Sequence, residues 1–118
     1  MAKKNVTIYH NPKCSTSRNV LELLHGAGIE PTIVEYLKTP PSKAELKRLA
    51  RENGGTVADI LRWKEPLAKE LKLDEDISTA DQLLDAMVAH PILINRPIVV
   101  TDKAVKLCRP SETVREII

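Results

Sequence analysis

The sequence predicts an α/β fold, a mixed four-stranded sheet with a helical insertion between its second and third strands. Three observations carry this. The chain opens with a strand–helix–strand pattern, its middle holds two helix-start signatures, and its end reads as a hairpin followed by a short helix. A length of 118 residues suits a single domain, 1–118, with a core over about 5–37 and 96–118 and the helical insert over about 42–90.

Val6-Thr7-Ile8-Tyr9 is short, β-branched and alternating, which predicts a strand, and His10-Asn11-Pro12-Lys13 breaks it. From Ser15 to about Ala27, Val20, Leu21, Leu24 and Ala27 fall at helical spacing, with Gly26 and Gly28 as the stop. A second β-branched run follows from Thr32 to Leu37, so a crossover helix should join two parallel strands. Ser42-Lys43-Ala44-Glu45 has capping-box spacing ahead of Leu46, Leu49 and Ala50, with Gly54-Gly55 as the stop. Thr56 can cap a short helix carrying Val57, Ile60 and Leu61, and Pro66 starts another brief turn through Leu71. Thr79-Ala80-Asp81-Gln82 is a second capping box before Leu83, Leu84, Met87 and Val88, and Pro91 closes that helix. Ile98-Val99-Val100-Thr101, a turn at Asp102-Lys103, and Ala104-Val105-Lys106-Leu107-Cys108 make a hairpin; Pro110-Ser111 opens a last helix through Val114 and Ile117. A thioredoxin-type core with a helical insertion is the economical arrangement.

Composition excludes several functions. Aromatic residues are 3% of the chain, Tyr9, Tyr36 and Trp63 without a phenylalanine, so the core is aliphatic and a base-stacking surface is not expected. A formal charge of +2 is too small to make nucleic acid or an anionic membrane the main partner. Met1-Ala2-Lys3-Lys4 precedes an apolar run too short for a signal peptide, and no segment approaches membrane-spanning length. A cytoplasmic location with reduced thiols is therefore expected, and nothing demands more than a monomer. The cysteines and histidines lack the paired spacing of zinc sites.

Cys14 falls in the turn between the first strand and the first helix, where α/β sheets form their sites. Unpaired N–H groups and the helix dipole favour an anion there. An ordinary thiol is only about 3% thiolate at pH 7, and helix ends lower its pKa to roughly 3.5–7.5. His10 can help if protonated, and Ser15, Thr16 and Ser17 offer hydroxyls to the sulfur or the helix end. A small packed core residue is the competing account of Cys14, but Asn11, Pro12, Lys13 and Ser15 are poor core neighbours. Cys108, within a strand pattern, reads as packing. Ser17 stands where a Cys-x-x-Cys protein has its second thiol, so any adduct at Cys14 must be resolved from outside. Arg96 and Arg109 each precede a proline at a strand end, and Arg62 ends a short helix of the insert; guanidinium groups in such places suit an oxyanion. Arg18, Arg48 and Arg51 read as solvated.

These motifs resemble those of the glutaredoxin-dependent arsenate reductases, the ArsC type. The resemblance rests on Ile8-Tyr9-His10-Asn11-Pro12-Lys13-Cys14 with Ser17-Arg18, on Pro91-Ile92-Leu93-Ile94-Asn95-Arg96-Pro97-Ile98-Val99-Val100, and on Leu107-Cys108-Arg109-Pro110. Glu35-Tyr36-Leu37 and Leu61-Arg62 also match, so it spans essentially the whole chain. It implies a thioredoxin-like fold, Cys14 as catalytic cysteine, and Arg62, Arg96 and Arg109 as oxyanion-binding residues, with Asn11 beside them. It further implies that His10 helps lower the thiol pKa, that Ser17 hydrogen-bonds the thiolate, and that Arg96–Pro97 is cis. The implied reaction is reduction of arsenate to arsenite through a cysteine adduct, with glutathione as co-substrate, glutaredoxin as partner, and no bound cofactor or metal. Two alternatives stay open: a glutathione-dependent thiol oxidoreductase with another substrate, and a thiol-dependent regulator binding RNA polymerase, whose Cys-x-x-Cys switch this chain lacks. Reductases of this type often run on past the final helix, whereas this sequence ends at Ile118, so partner docking is where a difference is expected.

Overall fold

The structure is a computed structural model that describes residues 5–118; Met1-Ala2-Lys3-Lys4, read above against a signal peptide, lies outside the described residues. It resolves into two compact units: one runs up to Thr39 and resumes at Arg96–Ile118, and the other is Pro40–Asn95.

The first unit holds the sheet. Strand β1 (Thr7–His10), helix α1 (Ser15–Gly26) and strand β2 (Thr32–Glu35) are followed, after the second unit, by β3 (Ile98–Val100) and β4 (Val105–Leu107). The strand order is β2-β1-β3-β4. β1 pairs parallel with β2 and antiparallel with β3, and β3 and β4 form the expected hairpin. Ile8 lies opposite Val99, and both turn to one face, where they pack with Val20 and Leu24 of α1 and with Val114 and Ile117 near the chain end. Burying each such aliphatic side chain contributes about 1.5–3 kcal/mol, which explains a stable core without phenylalanine. Helix α1 ends as its glycines predict. Gly28 takes φ +78, its N–H donates to the His25 carbonyl at 2.9 Å, and the Ile29 N–H donates to Leu24 at 2.9 Å. This double bond back into the last turn is the Schellman arrangement, with Ile29 and Leu24 in the same apolar cluster.

Two helical elements differ from expectation: the short helix expected to carry Leu61 and end at Arg62 is a 3-10 turn, Val57–Ile60, that stops before both. The closing segment Ser111–Glu116 is a 3-10 helix, since Val114 and Ile117 are three apart and i+3 spacing serves the tighter winding as well as the α-helix. Arg96–Pro97 is cis, as the resemblance implies, and so is Arg109–Pro110.

The second unit is helical: α2 (Lys43–Glu52), a 3-10 turn Val57–Ile60, α3 (Pro66–Glu70), α4 (Ala80–Ala89) and a 3-10 turn Pro91–Leu93. Its caps are local and match the sequence signatures. Ser42 Oγ accepts from the Glu45 N–H at 3.1 Å, and the Thr79–Gln82 box closes in both directions at 3.2 and 2.8 Å. Leu46, Leu49, Leu83, Leu84 and Met87 are buried, and Lys43 joins α2 to α4 through Asp81 and Asp85. No described helix is long and apolar enough to cross a membrane.

Candidate active site

Strand register decides which residues meet. Tyr9 is opposite Ile98, and Ile98 is opposite Leu107, so the carboxyl end of β1, the start of β3 and the end of β4 share one end of the sheet. The chain leaves that end at Asn11–Cys14, Arg96–Pro97 and Cys108–Pro110. Residues 14, 96 and 109 are brought together by pairing alone.

Cys14 is half-buried and occupies the N-cap of α1 with extended backbone, φ −94 and ψ 122. Arg109 Nη1 approaches its Sγ at 3.8 Å and also donates to the Arg96 carbonyl at 2.8 Å. That second bond fixes the guanidinium beside the sulfur. Burial works against ionising the thiol, but the Ser17 backbone N–H and the Arg109 and Arg96 guanidinium groups outweigh it, so the Cys14 pKa lies below the ordinary thiol value. The Ser17 N–H faces the sulfur from the first helical turn without closing a full cap hydrogen bond.

Cys108 is a contrast. It is fully buried in the apolar cluster, and burial pushes its thiol up to about 11. Both cysteines are free thiols.

His10 and Ser17 sit differently from what the sequence suggested. His10 is buried opposite Glu35, and burial holds its pKa below the ordinary imidazole range; Glu35 opposes this and Arg18 adds to it. Burial therefore disfavours the protonated form through which His10 could help Cys14. Its Nδ1 shares a 2.6 Å hydrogen bond with Ser17 Oγ, which also accepts from the Asn11 N–H at 3.1 Å. The Ser17 hydroxyl is thus engaged with the loop, and it is the Ser17 backbone N–H that joins the two guanidinium groups in lowering the Cys14 pKa. Asn11 is buried, and its Oδ1 accepts from the Lys13 N–H at 2.9 Å, an Asx turn that shapes the loop.

Arg62 belongs to the helical unit. It follows the Leu61–Ile94 bridge, its N–H donates to the Leu93 carbonyl at 2.8 Å, and its Nε lies 4.0 Å from Glu65 Oε2. Arg96 is buried at the entry to β3. Two arginines read as solvated have partners: Arg18 Nη1 donates to the Pro12 carbonyl at 2.9 Å, and Arg48 lies 3.7 Å from Glu52. Sequence patterns miss both the Arg18 contact and the Ser17 N–H because their partners or donors are main-chain atoms; only the Asn-Pro pair hinted at a shaped turn. Among the described residues, no group of three or more His, Cys, Asp or Glu could hold a metal ion.

The fold and this site define a thioredoxin-like protein that sets one ionisable thiol at a helix N-terminus against guanidinium groups. The chain belongs to the ArsC family, whose model matches residues 9–117. It is 56% identical over 114 residues to an arsenate reductase of Escherichia coli, covering 97% of this chain and 81% of that protein. An arsenate reductase of Rhizobium meliloti is 54% identical over 113 residues, covering 96% and 81%. Among solved structures, an arsenate reductase from Vibrio cholerae superposes with a TM-score of 0.94 at 47% identity, covering 99% of this chain and all of that one.

Proposed function

We propose that this protein reduces arsenate to arsenite, with Cys14 as nucleophile. The observation that carries the reading is the Cys14 sulfur, held below the ordinary thiol pKa beside Arg109 and Arg96, in a chain whose family relatives are arsenate reductases. Arsenate is a tetrahedral dianion near neutral pH, and guanidinium forks match its oxygens in geometry and charge. Arg96 and Arg109 bind and orient it. The Cys14 thiolate attacks arsenic, a sulfur–arsenic bond forms, and an arsenate oxygen leaves as hydroxide or water. The cationic surroundings stabilise the negative charge that develops in that step. His10, Ser17 and Asn11 serve the reaction by shaping the loop that carries Cys14.

Arsenate takes up two electrons on becoming arsenite, so two thiols must end as a disulfide. The second thiol has to come from outside, because Cys108 is buried and un-ionised. Glutathione displaces a second arsenate oxygen as water and leaves a glutathionyl–arsenic bond. Collapse of the adduct releases arsenite and joins Cys14 and glutathione as a disulfide. A glutaredoxin thiolate then takes the glutathionyl group, so that Cys14 returns to the thiol and the two outside thiols end as the disulfide. No resident cofactor enters the scheme, which would run in the cytosol with a monomer.

The test is arsenite formation from arsenate with glutathione, glutaredoxin and an NADPH-linked recycling system. Wild type should turn over and Cys14→Ser should not. Full activity in Cys14→Ser would end the scheme; loss in a folded Cys108→Ser would reveal a resolving thiol inside the chain.

A further inference from the structure

Asn11–Cys14 is a four-residue turn closed by the Cys14 N–H donating to the Asn11 carbonyl at 3.0 Å. Its central peptide, between Pro12 and Lys13, is the part of such a turn that rotates most easily, because flipping it interchanges turn types without breaking the closing bond. Here both ends of that peptide are held. The Lys13 N–H donates to Asn11 Oδ1 at 2.9 Å, and the Pro12 carbonyl accepts from Arg18 Nη1 at 2.9 Å. The Cys14 carbonyl on the other side accepts the first main-chain bond of α1, from the Arg18 N–H at 3.0 Å.

We infer that Arg18 is a positioning residue for Cys14: its guanidinium and the Asn11 carboxamide clamp the Pro12–Lys13 peptide and so fix the turn that presents the thiol. The inference rests on Cys14 being the reacting thiol. The Ser17 N–H and the Arg109 guanidinium stabilise the thiolate only if the sulfur stays where the turn holds it, with Arg109 already at the long distance of 3.8 Å. A looser turn spreads the sulfur over positions in which those donors contribute less. The Arg18 side chain is exposed at its outer end, so replacing it should leave the core untouched.

The experiment reads the thiol itself, independently of arsenate. The rate of Cys14 alkylation by iodoacetamide is followed against pH for the full chain, in low salt and in 1 M KCl, for wild type, Arg18→Met and the control Arg48→Met. The clamp predicts that Arg18→Met raises the midpoint by roughly 0.5–1 pH unit, about a threefold to tenfold loss of thiolate below the midpoint. The shift should persist in 1 M KCl, where charges are screened beyond about 3 Å but a displaced sulfur stays displaced. Arg48→Met should match wild type, and Arg18→Gln serves if the methionine variant does not fold. A midpoint unchanged in Arg18→Met overturns the clamp. So does a shift that vanishes in KCl, since Arg18 would then act by charge alone. A failed arsenate assay with an intact Arg18 effect would instead count against the proposed substrate.

Discussion

Two thiols of the sheet-bearing unit have opposite fates, and the contrast lies in where each chain segment leaves the sheet. Cys14 stands at the start of α1, half-buried, with N–H and guanidinium donors around it, and its pKa is lowered. Cys108 stands just past β4, enclosed by Ile8, Val20, Val99 and Val114, and its pKa is raised to about 11. Arg109 follows Cys108 directly in a bend just past β4, where its N–H donates to the Leu107 carbonyl at 3.2 Å. One residue seals the core while the next reaches the Cys14 sulfur. A thiol becomes reactive through the donors its neighbours supply, and desolvation alone acts the other way.

The largest effect that sharpens this contrast is substitution of each thiol. Cys14→Ser should lower arsenite production on the order of 1,000-fold or more, to background, while Cys108→Ser keeps most of it. Next come the donors. Arg109→Ala or Arg96→Ala should raise the arsenate KM roughly tenfold to a hundredfold, the loss of a charge-assisted contact. Steady-state kinetics over a wide arsenate range checks this, and a KM unchanged in both variants would remove them from oxyanion binding.

Linkage gives the third prediction. The raised Cys108 pKa means the folded chain keeps a proton that the unfolded chain loses, so this stabilisation is intact below about pH 8.5 and is lost as pH rises towards 11. Urea unfolding should show wild type losing up to roughly 3 kcal/mol more than Cys108→Ala across that window. Cys14 has the opposite sign and the smallest effect. Its lowered pKa contributes stability above the ordinary thiol pKa, which is lost as pH falls through the folded value. Cys14→Ala should flatten that slope, and a slope of the same sign as that of Cys108 would contradict the contrast.

Much of this was legible in the sequence because it is local. Thr79 and Gln82 announce their own reciprocal cap, Gly28 its left-handed turn, and the position of Cys14 before a helix its electrostatic setting. What was not legible depends on tertiary burial or on main-chain partners. Nothing in the sequence places His10 behind Ser17 or shows that burial lowers its pKa. Arg18 has the composition of a solvated helix residue, and its bond to the Pro12 carbonyl leaves no mark in residue type. Arg96 and Arg109 were singled out by their prolines, but only the β1–β3–β4 register brings their segments beside the Cys14 turn.

Site-resolved mass spectrometry of both cysteines after brief alkylation, across a pH series on the folded wild type, tests the central claim most directly. Cys14 should label with a midpoint clearly below about 8.5, and arsenate should slow it, while Cys108 stays unlabelled until the chain unfolds. An ordinary midpoint at Cys14 without any response to arsenate, or equal labelling of the two thiols, would contradict the account.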